Sequence, residues 1–204
     1  MSTPIFEKVF DFGVFRSFDR KPSFECFHVH QVHGANFACE SENQKADGIY
    51  GEQTLPWAII TADCLPVLVH GKNGNVFFHA GWRGIAQNIH LHEQVKAIEP
   101  SFVYVGPHIQ FDSFEVSTDF RDNFPGSSNF GQNSTDKLCF NLAAELTHGL
   151  QKVYPAITVE ISDVCTLKDY RFHSYRLDKT EKRNWNVFTR ADLKPYNDIN
   201  NIQE

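Results

Sequence analysis

The sequence lacks the features of nucleic-acid-binding, exported and membrane-spanning proteins. It has no run of Lys and Arg, and its 25 acidic residues outnumber 19 basic ones, giving a formal net charge of -6. Binding of nucleic acid through phosphate contacts is therefore not expected. The N-terminal segment shows no signal-peptide pattern, and no apolar stretch reaches the roughly 20 residues needed to cross a bilayer. We predict a cytoplasmic protein without a nucleic-acid or membrane partner.

The sequence also lacks a cysteine pairing pattern, and it is poor in methionine. The five cysteines are odd in number, scattered, and form no Cys-x-x-Cys pair: Cys26, Cys39, Cys64, Cys139 and Cys165. This pattern predicts free thiols in a reducing compartment. Methionine occurs once, whereas phenylalanine occurs 19 times, so we expect a phenylalanine-rich core.

The apolar pattern predicts an α+β fold in one domain, 1–204, with a frayed tail from about 192. Strands or extended segments are expected at 5–16, 24–32, 57–61, 65–69, 75–78, 102–105, 158–162 and 172–176. Hairpins occur among irregularly alternating strands and helices. This order favours a layered α+β domain with a mixed sheet over a doubly wound parallel sheet.

Two amphipathic helices are predicted between these strands. The first covers 85–98, with one apolar stripe formed by Ile85, Ile89, Val95 and Ile98. The second covers 137–153, where Thr135 or Asp136 could cap the start and Cys139 would lie on the buried face.

Two apolar runs stop abruptly at residues that can do chemistry. The run at 59–66 contains Asp63 and Cys64, and the run at 77–84 contains His79. A thiol and an imidazole from neighbouring strands can form a nucleophile–base pair or two ligands of a metal ion. His33 ends another extended segment, and two imidazoles with one thiolate would bind zinc and leave a position for water. The alternative is three unrelated buried or hydrogen-bonded side chains.

The turn at 81–84, Gly-Trp-Arg-Gly, lies between a predicted strand and a predicted helix. Backbone N–H groups and the Arg83 guanidinium could bind phosphate or a carboxylate there. The alternative is a tight turn with Trp82 in the core and Arg83 in a surface ion pair.

Three further residues are candidates for catalysis or substrate binding. Asp63 is a candidate acid, although neighbours on a regular strand point to opposite faces, so it could instead hold a backbone turn. His108 follows Gly-Pro at a strand end, and Arg176 lies in a late polar segment. Both could contact a substrate.

Seven motifs in a fixed order resemble those of the YfiH-like laccase-domain family, also named polyphenol oxidase or purine nucleoside phosphorylase. The resemblance spans about residues 31–184, and its most specific parts are Ala-Asp-Cys-Leu-Pro and His-Ala-Gly-Trp-Arg-Gly. The motifs are Gln31-Val32-His33-Gly34, Ala46-Asp47-Gly48, Thr61-Ala62-Asp63-Cys64-Leu65-Pro66-Val67, His79-Ala80-Gly81-Trp82-Arg83-Gly84, Gly106-Pro107-His108-Ile109 with Phe114-Glu115-Val116, Cys165-Thr166, and Phe172-His173-Ser174-Tyr175-Arg176-Leu177-Asp178.

The resemblance implies an α/β sandwich whose fold is shared with bacterial cysteine-dependent toxins. It also implies a zinc site formed by His33, Cys64 and His79. The activities it implies are phosphorolysis of adenosine, inosine, guanosine or methylthioadenosine, and deamination of adenosine. Older naming implies copper-dependent oxidation of phenols, and bacterial members have been linked to removal of faulty peptidoglycan precursors.

The chain departs from the family pattern mainly where substrate is expected to bind. A Ser-Leu-Asn-Leu-Gly element usually precedes Gln-Val-His in the family and is not found here. The usual Gly-Pro-Cys-Ile-Gly is Gly-Pro-His-Ile-Gln at 106–110, and the usual Gly-Arg near the end is Lys-Arg at 182–183. The three expected metal ligands are all present.

The leading hypothesis is a zinc-dependent purine nucleoside enzyme that acts on a nucleoside and phosphate, as a monomer or small homo-oligomer. Arg83 would orient the phosphate, and activated water would attack the purine C6 in a deamination. A second hypothesis is a metal-free hydrolase with Cys64 as nucleophile and His79 as base, acting on an amide such as a cell-wall precursor. A third is a binding protein without activity. Copper is less expected than zinc, because no further histidine cluster is visible.

Overall fold

The computed structural model describes residues 2–40 and 45–193. Within these ranges the chain has thirteen β-strands: β1 Phe6–Phe10, β2 Gly13–Phe18, β3 Phe27–His28, β4 Phe37–Cys39, β5 Gly48–Tyr50, β6 Trp57–Thr61, β7 Leu65–Gly71, β8 Gly74–Ala80, β9 Pro100–Val105, β10 Phe130–Gln132, β11 Leu138–Phe140, β12 Thr158–Ile161 and β13 Asn184–Arg190. The α-helices of the same ranges are α1 Trp82–Ala86, α2 Glu93–Ala97, α3 Leu142–Val153 and α4 Tyr175–Asp178. Short 3-10 helices cover Ile89–Leu91, Phe111–Ser113 and Thr118–Asn123.

Two mixed sheets and a small hairpin contain these strands. One sheet has the order β1-β2-β13-β6-β3, the other has the order β12-β9-β7-β8-β5-β4, and β10 pairs with β11. The parallel pairs are β3 with β6, β4 with β5, and β9 with β12, and the remaining pairs are antiparallel. The predicted α+β class with mixed sheets is confirmed.

Strand β7 shows how the layers are built. Leu68 packs between the two sheets, in a cluster that includes Phe15, Trp57 and Phe188 from the five-stranded sheet. Val67, the neighbour of Leu68, belongs to a second cluster with residues of α1, α2 and α3. Because successive side chains on a strand alternate between faces, an almost wholly apolar β7 can serve both clusters. The fold is therefore sheet on sheet, with helices covering the six-stranded sheet.

The predicted continuous helix at 85–98 is wrong. The segment is divided into α1, a 3-10 turn and α2. Asn88 has a left-handed backbone with φ 59°, which ends α1, and the His92 side chain accepts a hydrogen bond from the Gln94 N–H at the start of α2. The predicted apolar stripe is nevertheless buried, including Ile89 and Val95 at 0% exposure.

The predicted helix at 137–153 begins later than expected. Residues 138–140 form strand β11, which places Cys139 on a strand, where it is still fully buried. Helix α3 starts at Leu142, and its cap is Asn141, whose side chain accepts a hydrogen bond from the Ala144 N–H. The predictions of Thr135 or Asp136 as the cap are therefore wrong.

The end of the chain also differs from the prediction. Residues 172–176 form no strand, and α4 begins at Tyr175. The last described strand is β13, which lies in the middle of the five-stranded sheet between β2 and β6. The predicted extended segment at 24–32 contains only the two-residue strand β3. From 194 onward, the predicted frayed tail falls outside the described residues.

The described part of the chain shows no disulfide and no helix long and apolar enough to cross a bilayer.

Candidate metal centre

Three predicted site residues from distant parts of the chain converge. One ligand atom each of His33, Cys64 and His79 lies within 4.8 Å of the other two. The two imidazole rings are 4.7 Å apart between centroids and nearly perpendicular, at 81°. His79 is buried, Cys64 is half-buried and His33 is exposed, so the group extends from the protein interior to the surface. Among the described residues, no other group of three such side chains meets the same distance limit.

Local backbone conformations bring the three side chains together. His33 lies in the loop between β3 and β4 with a left-handed φ of 59°. Asp63 has a φ of 85° in the bend between β6 and β7, and this bend carries Cys64. His79 is the penultimate residue of β8 and pairs with Pro66 of β7. Left-handed conformations in residues other than glycine carry strain, which often occurs at functional sites.

Asp47 is a site residue to which the sequence reasoning assigned no role. Its fully buried carboxylate contacts His79 Nδ1 at 2.8 Å and accepts hydrogen bonds from the backbone N–H groups of His33 at 2.9 Å and Gly34 at 2.6 Å. The available signal was the motif Ala46-Asp47-Gly48, in which an acid directly precedes a buried strand. A carboxylate behind a histidine ligand is a common arrangement in metal sites.

The ionised forms of Cys64 and His79 stabilise each other. Burial opposes ionisation of Cys64, but the His79 and His33 imidazoles outweigh it and lower the pKa of the thiol to about 6. Burial also opposes a charge on His79, but Cys64 and Asp47 outweigh it and raise the pKa of the imidazole to about 9. Both shifts favour a thiolate on Cys64 and a proton on His79 when no metal is bound. A thiolate is the form of cysteine that binds metals and attacks electrophiles.

The thiolate gives the first prediction. In metal-free protein we expect alkylation of Cys64 by iodoacetamide to proceed at pH 7 and to slow as the pH falls through about 6, because protonation removes the nucleophile. Peptide mass spectrometry across a pH series measures the rate for each cysteine. Burial raises the pKa of the Cys26 thiol, so Cys26 is the internal control and should react only at higher pH. A midpoint above pH 8 for Cys64 would contradict the assigned charges.

Gly81 forms the floor beneath the three ligands. A Cβ atom at this position would lie 3.2 Å from Cys64 Sγ and 3.6 Å from both His33 Cδ2 and His79 Cε1. The backbone φ of Gly81 is -81°, so it is space and not conformation that requires glycine here. The residues around the group leave room for a compact arrangement of three ligand atoms.

Substitution of Gly81 tests whether the protein needs this space to bind zinc. We expect Gly81→Ala to weaken zinc binding by about 5- to 100-fold, which corresponds to the roughly 1–3 kcal/mol cost of an extra methyl group in a packed site. Competition with a chromophoric chelator measures the affinity. Gly34→Ala is the matched control, since its methyl would meet Asp47 Oδ2 at an ordinary 3.5 Å. Equal affinities for Gly81→Ala and the unaltered protein would contradict this role of the glycine.

Asp63 is placed beside Cys64, but its carboxylate already has two partners. Oδ1 accepts a hydrogen bond from the Thr166 hydroxyl at 2.8 Å, and Oδ2 accepts one from the Arg176 backbone N–H at 2.6 Å. The Arg176 guanidinium donates to the Glu115 carbonyl at 2.7 Å and lies 5.0 Å from the Phe114 ring centroid. This network holds α4 next to the bend that carries Cys64.

The structure gives Arg83 and His108 different surroundings. Arg83 is exposed, and its guanidinium carbon lies 4.6 Å from the centroid of the Trp82 ring. His108 is buried, and its Nδ1 donates to the Gly106 carbonyl at 2.8 Å. Burial lowers the pKa of His108 to about 4, so its imidazole is neutral at pH 7. The exposed Arg83 side chain is accessible to a ligand, whereas the His108 ring is fixed by its hydrogen bond to the Gly106 carbonyl.

A family model described as multi-copper polyphenol oxidoreductase laccase matches residues 15–189. The chain belongs to this family. Membership and the convergence of His33, Cys64 and His79 together indicate a metal centre.

Proteins similar in sequence have names that differ from the description of the family model. The chain is 30% identical over 176 residues to the proteins named purine nucleoside phosphorylase YfiH of Shigella flexneri and of Escherichia coli K12, covering 76% of this chain and 70% of each relative. Among solved structures, it is similar to the Neisseria meningitidis protein NMB0706, with a TM-score of 0.69 and 28% identity over 80% of this chain and 74% of that one. Bacillus licheniformis YfiH has a TM-score of 0.66 at 20% identity, with 80% of this chain and 73% of that one covered, and it supports the fold alone.

Proposed function

We propose that this protein is a zinc-dependent purine nucleoside enzyme. The proposed reactions are phosphorolysis of adenosine, inosine, guanosine or methylthioadenosine, or deamination of adenosine. The observation that carries the proposal is the convergence of His33, Cys64 and His79 within 4.8 Å in a chain whose relatives are named purine nucleoside phosphorylases. Their names describe those proteins and support the substrate class for this one.

The residues fit a zinc ion by three separate criteria. Two imidazoles and one thiolate match the ligand types of catalytic zinc sites, which use three protein ligands. The Asp47 carboxylate contacts one of the imidazoles from behind, as metal-binding histidines require. The absence of a side chain at Gly81 leaves the space that three converging ligands need. When bound, zinc supplies a Lewis acid with one position open to water or substrate.

In the proposed reaction, side chains of the protein bind the phosphate and orient the metal ligand His79. In phosphorolysis, a phosphate oxygen forms a bond to the ribose C1′ while the bond from C1′ to the purine nitrogen breaks, and the purine leaves with a proton. Arg83 supplies an exposed guanidinium for the phosphate, since none of the ion pairs formed among the described residues involves it. Asp47 keeps a proton on His79 Nδ1 throughout.

A second function is favoured by the position of Cys64 beside His79, whose imidazole, with that of His33, lowers the pKa of the thiol to about 6. A thiolate next to an imidazolium is also the resting state of a cysteine hydrolase. Such an enzyme would use Cys64 as nucleophile and His79 as base on an amide, for example in a peptidoglycan precursor. It would work without metal, and chelation would leave its activity unchanged.

Product analysis with adenosine tests the proposed function. The purified protein is incubated with adenosine, with and without phosphate, before and after removal of metal by a chelator. Adenine with ribose phosphate, formed only when phosphate is present, indicates phosphorolysis, and inosine formed without phosphate indicates deamination. Arg83→Gln should reduce phosphorolysis while leaving deamination unchanged. Absence of both products from protein that contains metal would contradict the proposal.

A further inference from the structure

Asp47 lies next to the metal centre without being one of the three ligands, and its carboxylate makes contacts with four N–H groups or ring nitrogens. Its carboxylate has 0% exposure and accepts contacts from the backbone N–H groups of Val32 at 3.4 Å, His33 at 2.9 Å and Gly34 at 2.6 Å. It also contacts Nδ1 of His79 at 2.8 Å. One buried carboxylate is therefore bonded to the backbone of one histidine and to the ring of the other.

We propose that Asp47 is a positioning residue that selects the ring nitrogen with which His79 binds metal and that holds His33 within reach of the same ion. The inference rests on the proposed metal site, and it assigns to one residue the preorganisation of two of its three ligands.

The choice of ring nitrogen follows from hydrogen-bond chemistry. An ionised carboxylate only accepts hydrogen bonds, so a contact of 2.8 Å with Asp47 requires a proton on His79 Nδ1. In a neutral imidazole the other nitrogen, Nε2, then has the free lone pair. The same carboxylate accepts hydrogen bonds from the backbone N–H groups of His33 and Gly34, and such bonds favour its ionised form. His79 therefore presents Nε2 as its metal ligand.

The position of His33 depends on the same carboxylate through the backbone. His33 has a φ of 59°, a left-handed conformation that residues with a side chain adopt at a cost of roughly 1–2 kcal/mol. Consecutive backbone N–H groups around such a residue form a concave anion-binding arrangement. Asp47 supplies the anion, and its bonds to the His33 and Gly34 N–H groups stabilise the strained turn.

Asp47 can impose this geometry because its own backbone is fixed on both sides. The N–H groups of Asp47 and Gly48 both donate to the Asn36 carbonyl, at 2.9 and 3.0 Å. The Asp47 carbonyl accepts a hydrogen bond from the His79 backbone N–H at 2.7 Å. His79 is therefore held by Asp47 at two points, its main chain and its ring. A ligand held in this way needs little reorganisation when a metal binds.

Zinc affinity separates this role from simple support of the loop. Asp47→Asn preserves the size of the side chain but allows its amide to donate a hydrogen bond to Nδ1, which places the proton on Nε2 instead. We expect a loss of zinc affinity of about 10- to 100-fold, measured by competition with a chromophoric chelator. Gln31→Ala is the matched control, since Gln31 ties the same loop to Ile60 through two side-chain bonds, of 2.8 and 2.7 Å, that do not involve the His79 ring. The affinity of this control should stay within about threefold of the unaltered protein.

Either of two results would overturn the assignment. One is a zinc affinity of Asp47→Asn within about threefold of the unaltered protein, and the other is an equal loss for Gln31→Ala. If Asp47→Asn does not fold, the zinc-loaded unaltered protein with ¹⁵N-labelled histidine decides. A protonated Nδ1 on His79 supports the inference, and zinc bound to Nδ1 overturns it. These measurements use zinc without nucleoside, so a failure of the proposed enzyme activity does not affect them, whereas a protein that binds no zinc overturns both proposals.

Discussion

Cys64→Ala should leave the purified protein with less than about 0.1 equivalents of zinc and reduce purine nucleoside activity by at least about 100-fold. Cys64 is the only thiolate among the three converging ligands, and its negative charge would offset part of the charge of a bound zinc ion. Two imidazoles alone form a much weaker zinc site. Elemental analysis of the variant and initial rates with adenosine or inosine measure the two effects.

Cys26→Ser is the matched control for this substitution. Cys26 is also partly buried, but it belongs to a small cluster with Phe24 and Trp185 on the outer side of the five-stranded sheet. Its zinc content and activity should match those of the unaltered protein. Full zinc content or full activity of Cys64→Ala would contradict the assignment of Cys64 as a metal ligand.

Asp63→Ala should lower the free energy of unfolding by about 3 kcal/mol and reduce activity at the same time. The substitution leaves the Thr166 hydroxyl and the Arg176 N–H without their acceptor. It also places alanine at a φ of 85°, where the short polar side chain of aspartate is better tolerated. Urea denaturation measures the stability, and zinc content shows whether the bend still presents Cys64.

Thr166→Val and Asp63→Asn are the controls for the role of Asp63. Thr166→Val removes one of the two bonds and should cost about 1 kcal/mol. Asp63→Asn keeps an acceptor for one of the donors and removes the acid. If Asp63 were the proton donor of the reaction, Asp63→Asn would abolish activity, whereas loss of one hydrogen bond alone would lower stability and leave activity measurable. Loss of stability without loss of activity would show instead that the Asp63 network is purely structural.

The candidate metal centre was the most predictable part of the molecule. Cys64 and His79 end apolar runs, and a chemically reactive residue at the end of a buried strand indicates a site. That reasoning left a nucleophile–base pair and a metal site equally open. The third ligand, His33, could be grouped with the other two because it ends another extended segment, although the left-handed turn that places it has no periodic signal.

The contact of Asp47 with His79 could not be predicted from the sequence. Nothing in the local pattern tells that the carboxylate of this residue turns inward to His79, because the contact joins residues 32 positions apart. A buried acid before an apolar strand does indicate a partner, since a buried charge is costly unless it is paired and hydrogen-bonded. The sequence alone does not identify that partner.

The errors in the fold have equally local causes. The stripe from Ile85 to Ile98 is buried as predicted, but periodicity does not reveal that Asn88 adopts a left-handed conformation that divides the helix. Strand β13 was missed because Asn184 and Asn186 interrupt its apolar pattern. Both are buried, and the Asn186 amide donates to the Ile59 carbonyl at 3.1 Å and to Thr61 Oγ1 at 3.0 Å. Buried polar residues with partners on neighbouring strands look like a loop in sequence.

Zinc-edge X-ray absorption of protein purified without added metal tests whether His33, Cys64 and His79 bind zinc. We expect close to one equivalent of zinc, with one sulfur ligand at about 2.3 Å and two nitrogen ligands at about 2.0–2.1 Å, as Cys64, His33 and His79 require. Removal of that zinc should abolish activity, and its return should restore it. Less than about 0.1 equivalents of zinc, with activity unchanged by chelation, would show that the protein is not a zinc enzyme.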